Sequence, residues 1–200
     1  MVHAPIEALL IGLGNPGPEC SDNRHNIGFM VADVLAARAG LRFERLSWIW
    51  TATGEFCGKC VLLLKPRTLM NRSGRAVGAA LETLAAEGCE PPIDSCLVIH
   101  DDLDLPFATL RLKRGGGHGG HKGLRSIIGA VGPDFARLRI GIDHPGPGAD
   151  VSDYVLSDFS STEQAVLGAL VERAADAAVL ELAEGLEAAM NLVNARDPEA

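Results

Sequence analysis

The sequence has few cysteines and no long apolar run. Its 200 residues include five cysteines, an odd number that argues against a disulfide framework and for a reducing compartment. No apolar run is long enough to span a bilayer, and the N-terminus lacks the basic start and apolar core of a signal peptide. These absences exclude a disulfide-rich secreted protein and a membrane protein, and we expect a cytoplasmic location.

Two of the cysteines, Cys57 and Cys60, have the C-x-x-C spacing of a redox or zinc pair. The sequence has no second C-x-x-C pair, and Cys89 and Cys96 are spaced poorly for a compact four-cysteine zinc site. The pair also stands at the entrance to the apolar run 61–64. We therefore interpret it as structural and predict no metal site.

Acidic residues are in excess, with a formal net charge of −8, which argues against a nucleic-acid partner. The basic residues are nevertheless clustered. A first cluster comprises Lys59, Lys65, Arg67, Arg72 and Arg75. A second cluster, opposed in the sequence only by Asp134, comprises Arg111, Lys113, Arg114, Lys122, Arg125, Arg137 and Arg139. Charge alone leaves two interpretations open, a polyanion-binding face and ordinary solvated charges.

Apolar runs alternate with stretches of helical periodicity along the chain. Strands are predicted over 8–13, 61–64, 96–100, 109–113 and 135–142, with extended structure over 43–56. Helices are predicted over 26–39, 71–86, 124–128, 162–182 and 186–193; Gly88 and the Pro91-Pro92 pair bound the second. The alternation predicts an α/β fold, in which residues 1–200 form one three-layer domain with a mixed, mostly parallel sheet flanked by helices and an acidic helical portion from about residue 160. The run 135–142 alternates apolar and basic residues, which predicts a half-exposed strand.

The loop over residues 12–28 connects the first strand to the first helix and carries Asn15, His25 and Asn26. In open α/β sheets, groups just beyond the carboxyl end of a strand lie where ligands bind. We therefore expect this loop to contribute to a functional site.

The same loop contains a G-x-G-x-x-G match at Gly12, Gly14 and Gly17. A dinucleotide fingerprint requires a helix that begins at that turn, so that its N–H groups meet the pyrophosphate. Pro16 and Pro18 remove two of those N–H groups, and the predicted helix starts well after the turn. A dinucleotide oxidoreductase is therefore a disfavoured alternative.

A histidine on this loop and an aspartate after a later strand form a candidate catalytic pair. If the strands before His25 and Asp101 are neighbours, the two side chains share one sheet edge. A carboxylate bonded to one imidazole nitrogen fixes the tautomer and raises the basicity of the other, so that it can deprotonate water. Asn15 and Asn71 could direct amide N–H groups at the developing oxyanion. No Ser or Cys is evidently placed as a nucleophile, so direct attack by water is the economical mechanism.

Simpler interpretations of these residues remain open. A single loop histidine can have a capping or packing role. Asp101, Asp102 and Asp104 could hold a cation or be solvated turn residues.

Six sequence blocks span most of the chain. They are GLGNPG (12–17), RHNIGF (24–29), KPRTLMNRSG (65–74), HDDLDLP (100–106), GGGHGGHKG (115–123) and RLRIGI (137–142). In this order and with these gaps, the chain resembles the bacterial-type peptidyl-tRNA hydrolase family. The resemblance implies a monomeric enzyme without a cofactor that hydrolyses the ester between a peptide and the 3′ ribose of tRNA.

The resemblance also implies roles for individual residues. His25 is implied to be the general base that activates water, and Asp101 is implied to hold it in its basic form. Asn15 matches the position that reads the acylated amino group and helps to polarise the carbonyl. Met70 and Asn71 match the peptide and 3′-end site.

Two cations match positions that hold tRNA phosphate in the family, namely Lys113 and Arg139. Both belong to the second basic cluster, which was identified from charge alone. Phosphate contacts of this kind position a substrate without reading its sequence.

Three substrate-site positions depart from the family pattern. Cys20 replaces a common tyrosine and Leu69 a common phenylalanine, so stacking on the 3′ end is expected to weaken. Lys122 replaces an asparagine and can donate but not accept a hydrogen bond. Cys20 and Lys122 motivate the alternative of an RNA-binding relative with weak or lost turnover.

Overall fold

The structure is a computed structural model that describes residues 5–89 and 93–196. The strands are β1 (Ala8–Gly12), β2 (Glu44–Leu46), β3 (Ile49–Phe56), β4 (Lys59–Pro66), β5 (Cys96–Asp102), β6 (Leu110–Arg114) and β7 (Ala136–Gly141). The α-helices are α1 (Ile27–Arg38), α2 (Ser73–Ala86), α3 (Lys122–Val131), α4 (Val151–Val155), α5 (Ser161–Glu184) and α6 (Leu186–Arg196). Short 3₁₀ turns cover Pro18–Cys20, Arg24–Asn26, Met70–Arg72 and Ile93–Ser95.

In the described part of the chain, seven strands form one sheet in the order β2-β3-β4-β1-β5-β7-β6. The central strands β4, β1, β5 and β7 are parallel, whereas β2, β3 and β6 join the sheet in antiparallel pairs. Helices α1, α5 and α6 contribute to the apolar core on one face, and α2 and α3 to the core on the other. This arrangement confirms the predicted three-layer α/β fold with a mixed sheet.

The run 135–142 is a buried strand, so the prediction of a half-exposed strand was wrong. Strand β7 lies between β5 and β6, and Arg137 within it is 1% exposed. Its guanidinium donates to the carbonyl oxygens of Gly116 and Gly117. These acceptors satisfy the terminal nitrogens of a buried guanidinium, which explains how basic residues can alternate along a covered strand.

Apolar periodicity did not predict helix α4, and one predicted helix boundary cannot be compared with the structure. Helix α4 lies in the stretch that was predicted as a loop, and Asp150 caps it by accepting from the backbone N–H groups of Ser152 at 2.7 Å and Asp153 at 3.2 Å. A helix this short shows no readable apolar period. The Pro91-Pro92 pair lies outside the described residues.

Two glycines bring α1 close to the sheet. A Cβ atom on Gly12 would lie 2.3 Å from the carbonyl oxygen of Gly28, and one on Gly28 would lie 2.4 Å from that of Ile99. The start of α1 therefore packs directly on β1 and β5, and the turn Arg24–Asn26 that precedes it reaches their carboxyl ends. Because α1 begins only at Ile27, the turn after β1 offers no helix N-terminus for a pyrophosphate.

None of the helices in the described ranges combines the length and the apolarity that crossing a membrane requires.

Candidate active site

The predicted His–Asp pair is present at the carboxyl ends of two adjacent parallel strands. His25 Nδ1 lies 2.9 Å from each carboxylate oxygen of Asp101, which is the penultimate residue of β5 and is 2% exposed. His25 Nε2 has no hydrogen-bond partner within residues 5–89 and 93–196, and its ring lines a cavity. One imidazole nitrogen is therefore anchored, and the other faces the space where a substrate would bind.

A second histidine, His121, binds the same carboxylate and was not predicted as a site residue. Its Nε2 lies 3.0 Å from Asp101 Oδ1, and its Nδ1 accepts from the backbone N–H groups of Gly123 at 3.1 Å and Leu124 at 3.2 Å. Because backbone N–H groups only donate, Nδ1 is unprotonated and the ring proton lies on Nε2, which donates to Asp101. His121 thus caps α3 and also holds Asp101. In the sequence, the GGHKG block before a predicted helix was the feature that could have indicated this role.

A third histidine, His100, completes the cluster. Its Nδ1 lies 2.6 Å from the carbonyl oxygen of Asp101, and its ring centroid lies 5.2 Å from that of His121. Burial, and secondarily the neighbouring His121, lower the pKa of His100 to about 3. It is therefore a neutral packing partner of the site near neutral pH.

Asp101 and His25 shift each other's ionisation. Burial alone would raise the pKa of Asp101, but the charges and hydrogen bonds of His25 and His121 hold it well below the ordinary value. Burial alone would lower the pKa of His25, and the charge of Lys122 acts in the same direction, but the Asp101 charge and hydrogen bond outweigh them and raise it. Asp101 is therefore ionised, and His25 is a stronger base than free imidazole.

Asn15 has an orientation that its neighbours fix. The backbone N–H of Met70 donates to its Oδ1 at 2.8 Å, so the oxygen of the amide faces Met70 and the NH₂ group faces away. Asn26 holds the backbone of Asn15, accepting from its N–H at 2.8 Å and donating to its carbonyl at 2.9 Å. Asn15 is 8% exposed and lines the cavity beside His25, and its amide oxygen is already used by Met70.

The cavity next to His25 has a volume of about 460 Å³, within the range of ligand sites. Its lining includes the predicted residues Asn15, His25, Leu69, Met70, Asn71, Asp101 and Lys122. Further lining residues come from the glycine-rich loop and from the α4 region, namely His118, Gly119, Gly120, Val151, Ser152, Val155 and Leu156. The described lining does not include Cys20, which ends the 3₁₀ turn Pro18–Cys20 and is partly buried.

The two predicted phosphate-binding cations lie on neighbouring strands beside the pair. Arg139 on β7 donates through Nε to Asp102 Oδ2 at 2.6 Å, so Asp102 opposes the second basic cluster in addition to Asp134. The sequence could not reveal this because the contact spans β5 and β7. Burial and the charges of Arg139 and Arg137 lower the pKa of Lys113. Cations therefore accumulate on this side of the site.

The site has a donor set that a cation could use. One donor atom each of His25, Asp101 and His121 lies within 4.8 Å of the others. These atoms are already joined by hydrogen bonds, so a cation would have to displace the bridging protons. Asp102 and Asp104 form a turn instead, in which Asp104 N–H donates to Asp102 at 3.0 Å.

Comparison with known proteins identifies the family. Residues 9–200 match the family model described as peptidyl-tRNA hydrolase. Peptidyl-tRNA hydrolase of Mycobacterium avium is 50% identical over 94% of this chain and 97% of its own length, and that of Mycolicibacterium smegmatis is 48% identical with the same coverage. The crystal structure of peptidyl-tRNA hydrolase from Acinetobacter baumannii superposes with a TM-score of 0.86 at 38% identity over 96% of this chain and 97% of that one. The chain belongs to the peptidyl-tRNA hydrolase family.

Proposed function

We propose that the protein hydrolyses peptidyl-tRNA, with the scissile ester bound in the cavity between His25 and Asn15. The observation that carries the proposal is the unpartnered His25 Nε2 facing that cavity, with an ionised Asp101 behind the ring. Members of the matched family carry this activity in their names.

In the proposed reaction, His25 Nε2 takes a proton from a water molecule as the water oxygen attacks the ester carbonyl carbon. Asp101 stabilises the resulting imidazolium, and His121 keeps Asp101 in place. When the tetrahedral intermediate collapses, the carbon–oxygen bond to the 3′ ribose breaks and the imidazolium returns its proton to the leaving oxygen. The products are a peptide with a free carboxyl group, which then loses its proton to water, and a tRNA with a free 3′ hydroxyl.

The amide group of Asn15 gives a physical reason for the enzyme to prefer substrates whose amino group is acylated. A fixed NH₂ donor can bind the carbonyl oxygen of an acyl group, whereas it repels the ammonium of an unblocked aminoacyl ester. We propose that Asn15 selects peptidyl-tRNA in this way and that Asn71, exposed in the same lining, donates to the developing oxyanion.

The remaining predicted substrate residues surround this centre. We propose that Leu69, Met70 and Lys122 contact the substrate around the ester, because all three line the cavity. Lys113 and Arg139 are proposed to hold tRNA phosphates, supported by their place on the adjacent strands β6 and β7.

Three further assignments are proposed with the function. Residues 1–200 act as one domain and as a monomer, and no cofactor takes part. The location is the cytoplasm, supported by the free thiols of the five cysteines, which suit a reducing compartment. Contact of Cys20 with the 3′ end stays a prediction.

The test is release of label from an N-acetylated, labelled aminoacyl-tRNA by the wild type and by His25→Ala. We expect release by the wild type and its loss in the variant, with Arg42→Ala, an exposed cation of the α1–β2 loop, as a control that retains activity. Salt-sensitive tRNA binding without release by the wild type would replace the proposal with the RNA-binding alternative.

A further inference from the structure

A second groove lies on the far side of the segment that lines the active-site cavity. Its volume is about 460 Å³, and its walls include Trp48, Thr68, Arg72, Arg75 and Glu82. Leu69, Met70 and Asn71 line the active-site cavity, and the residues on either side of them in the chain, Thr68 and Arg72, line the groove. The two spaces therefore share one wall.

Trp48 is held at the mouth of this groove with its indole in solvent. Arg67 fixes the turn that carries it, because its backbone N–H donates to the Trp48 carbonyl at 2.7 Å and its guanidinium donates to the Ser47 carbonyl at 2.7 Å. Trp48 is nevertheless 63% exposed, and Leu69, which follows Thr68 in the chain, is 61% exposed. Trp is among the residues enriched at interaction surfaces.

The two arginines of the groove are available to a ligand. Arg72 and Arg75 are exposed, and neither forms an ion pair with a residue in the described ranges. The hydroxyl oxygen of Thr68 has no hydrogen-bond partner among the described residues, but it is enclosed, so the two guanidinium groups are the donors that the groove offers.

The strand order places this groove and the two proposed phosphate-binding cations on opposite sides of the catalytic pair. Trp48 precedes β3 and Thr68 follows β4, whereas Lys113 and Arg139 lie on β6 and β7. Between them lie β1, whose following loop carries His25, and β5, which contains Asp101. A peptidyl-tRNA has two polymer arms that leave the ester in different directions. With the tRNA arm toward β6 and β7, the peptide arm points across Leu69 toward Trp48.

We propose that this groove binds the peptide arm of the substrate beyond the residues nearest the ester, an inference that rests on the proposed function. Peptides of any sequence offer backbone carbonyls to the guanidinium donors of Arg72 and Arg75, while apolar side chains pack on the Trp48 indole. Glu82 adds a carboxylate to the groove lining, and it can accept from backbone N–H groups, which a peptide has and an RNA backbone lacks. The groove holds extended peptides without selecting among them.

The test compares two substrates on the same tRNA, one with a single N-acetylated residue and one with a peptide of about ten residues, which spans roughly 33 Å when extended. Binding is measured in a His25→Ala background, so that the readout does not depend on turnover. Trp48→Ala, Arg75→Gln and their combination are compared with Arg42→Ala, and circular dichroism verifies the fold of each variant. Hydrolysis by the otherwise wild-type chain is measured separately.

We expect the combined variant to weaken binding of the long substrate by about tenfold and that of the short one by less than about twofold. Equal Kd changes for both substrates and for free tRNA would overturn the proposal in favour of RNA in the groove, and unchanged binding of the long substrate would overturn it outright. Absence of hydrolysis by the wild type would instead contradict the proposed function, while the binding comparison would still decide the groove.

Discussion

Two adjacent residues of one turn, Arg24 and His25, are equally buried and have opposite surroundings. Arg24 is 6% exposed and His25 is 7% exposed. The terminal guanidinium nitrogens of Arg24 donate to Ser157 Oγ at 2.8 Å and Glu163 Oε2 at 2.6 Å, and its central carbon lies 4.4 Å from the Tyr154 ring centroid. His25 uses one nitrogen on Asp101 and leaves the other toward the cavity.

The difference separates a structural group from a reactive one. Arg24 attaches the turn to the segment between α4 and α5, and the contacts of its terminal nitrogens leave those atoms no place for a substrate. His25 has a partner that orients it and an atom that remains available, which is the combination that base catalysis needs. Burial alone would have classified the two residues together.

The largest effect on activity is expected from removing His25 Nε2, the ring nitrogen that remains available. His25→Ala should lower kcat by about 10²- to 10⁴-fold, the range of general base catalysis, because it removes the oriented base that takes the proton from water. The thermal midpoint should change little, since His121 still holds Asp101. Single-turnover hydrolysis measures the activity, and thermal denaturation measures the midpoint. If the variant lost its fold together with its activity, His25 would be a structural residue like Arg24.

The next effect is expected from removing the structural group. Arg24→Ala should lower the free energy of unfolding by about 3 kcal/mol, because it leaves a largely buried Glu163 without its cation. Denaturant unfolding measures this, with Arg42→Ala expected within about 0.5 kcal/mol of the wild type. Turnover by the folded fraction should fall by less than about tenfold, and a loss as large as that of His25→Ala would contradict the separation.

A smaller effect is expected in the pH dependence of kcat/KM. His25 must be neutral to accept a proton, so activity should rise with pH through its raised pKa, with the midpoint above the ordinary 6.5. Since the Lys122 charge lowers that pKa, Lys122→Asn should move the midpoint to higher pH and leave activity above it similar or raised.

Rate profiles of the two chains over pH 5–9 decide this point. A midpoint that does not move would show that Lys122 does not act on His25. A large loss of turnover at high pH would show that Lys122 is required in its own right rather than substituting for another residue.

The smallest effect is expected from the two proposed phosphate-binding cations, Lys113 and Arg139, of which Arg139 is paired with Asp102. Lys113→Ala should reduce the slope of log Kd for tRNA against log salt by about 1. Arg139→Ala should reduce it less, because Asp102 already opposes that charge. Filter binding at several salt concentrations measures both slopes, and a larger change for Arg139 would mean that tRNA displaces Asp102.

The sequence by itself determined the fold class, the family and the candidate residues. All three follow from local patterns. Apolar periodicity and turn residues depend on a few neighbouring positions, and each of the six sequence blocks is continuous in the chain. The pair His25–Asp101 was already proposed from the sequence, on the condition that two strands were neighbours. That the whole chain acts as one domain stays a prediction.

Only the tertiary structure decided which groups meet and which atoms remain available. The His25–Asp101 contact joins residues 76 positions apart, and His121, the pairing of Arg139 with Asp102 and the burial of Arg137 also depend on the order in which β1, β5 and β7 lie side by side. Apolar periodicity indicates which face of a strand is apolar, but it does not indicate which strand lies beside it. Strand order follows from packing of the whole chain, and for that reason the proton positions, the paired charges and the second groove became visible only in the folded protein.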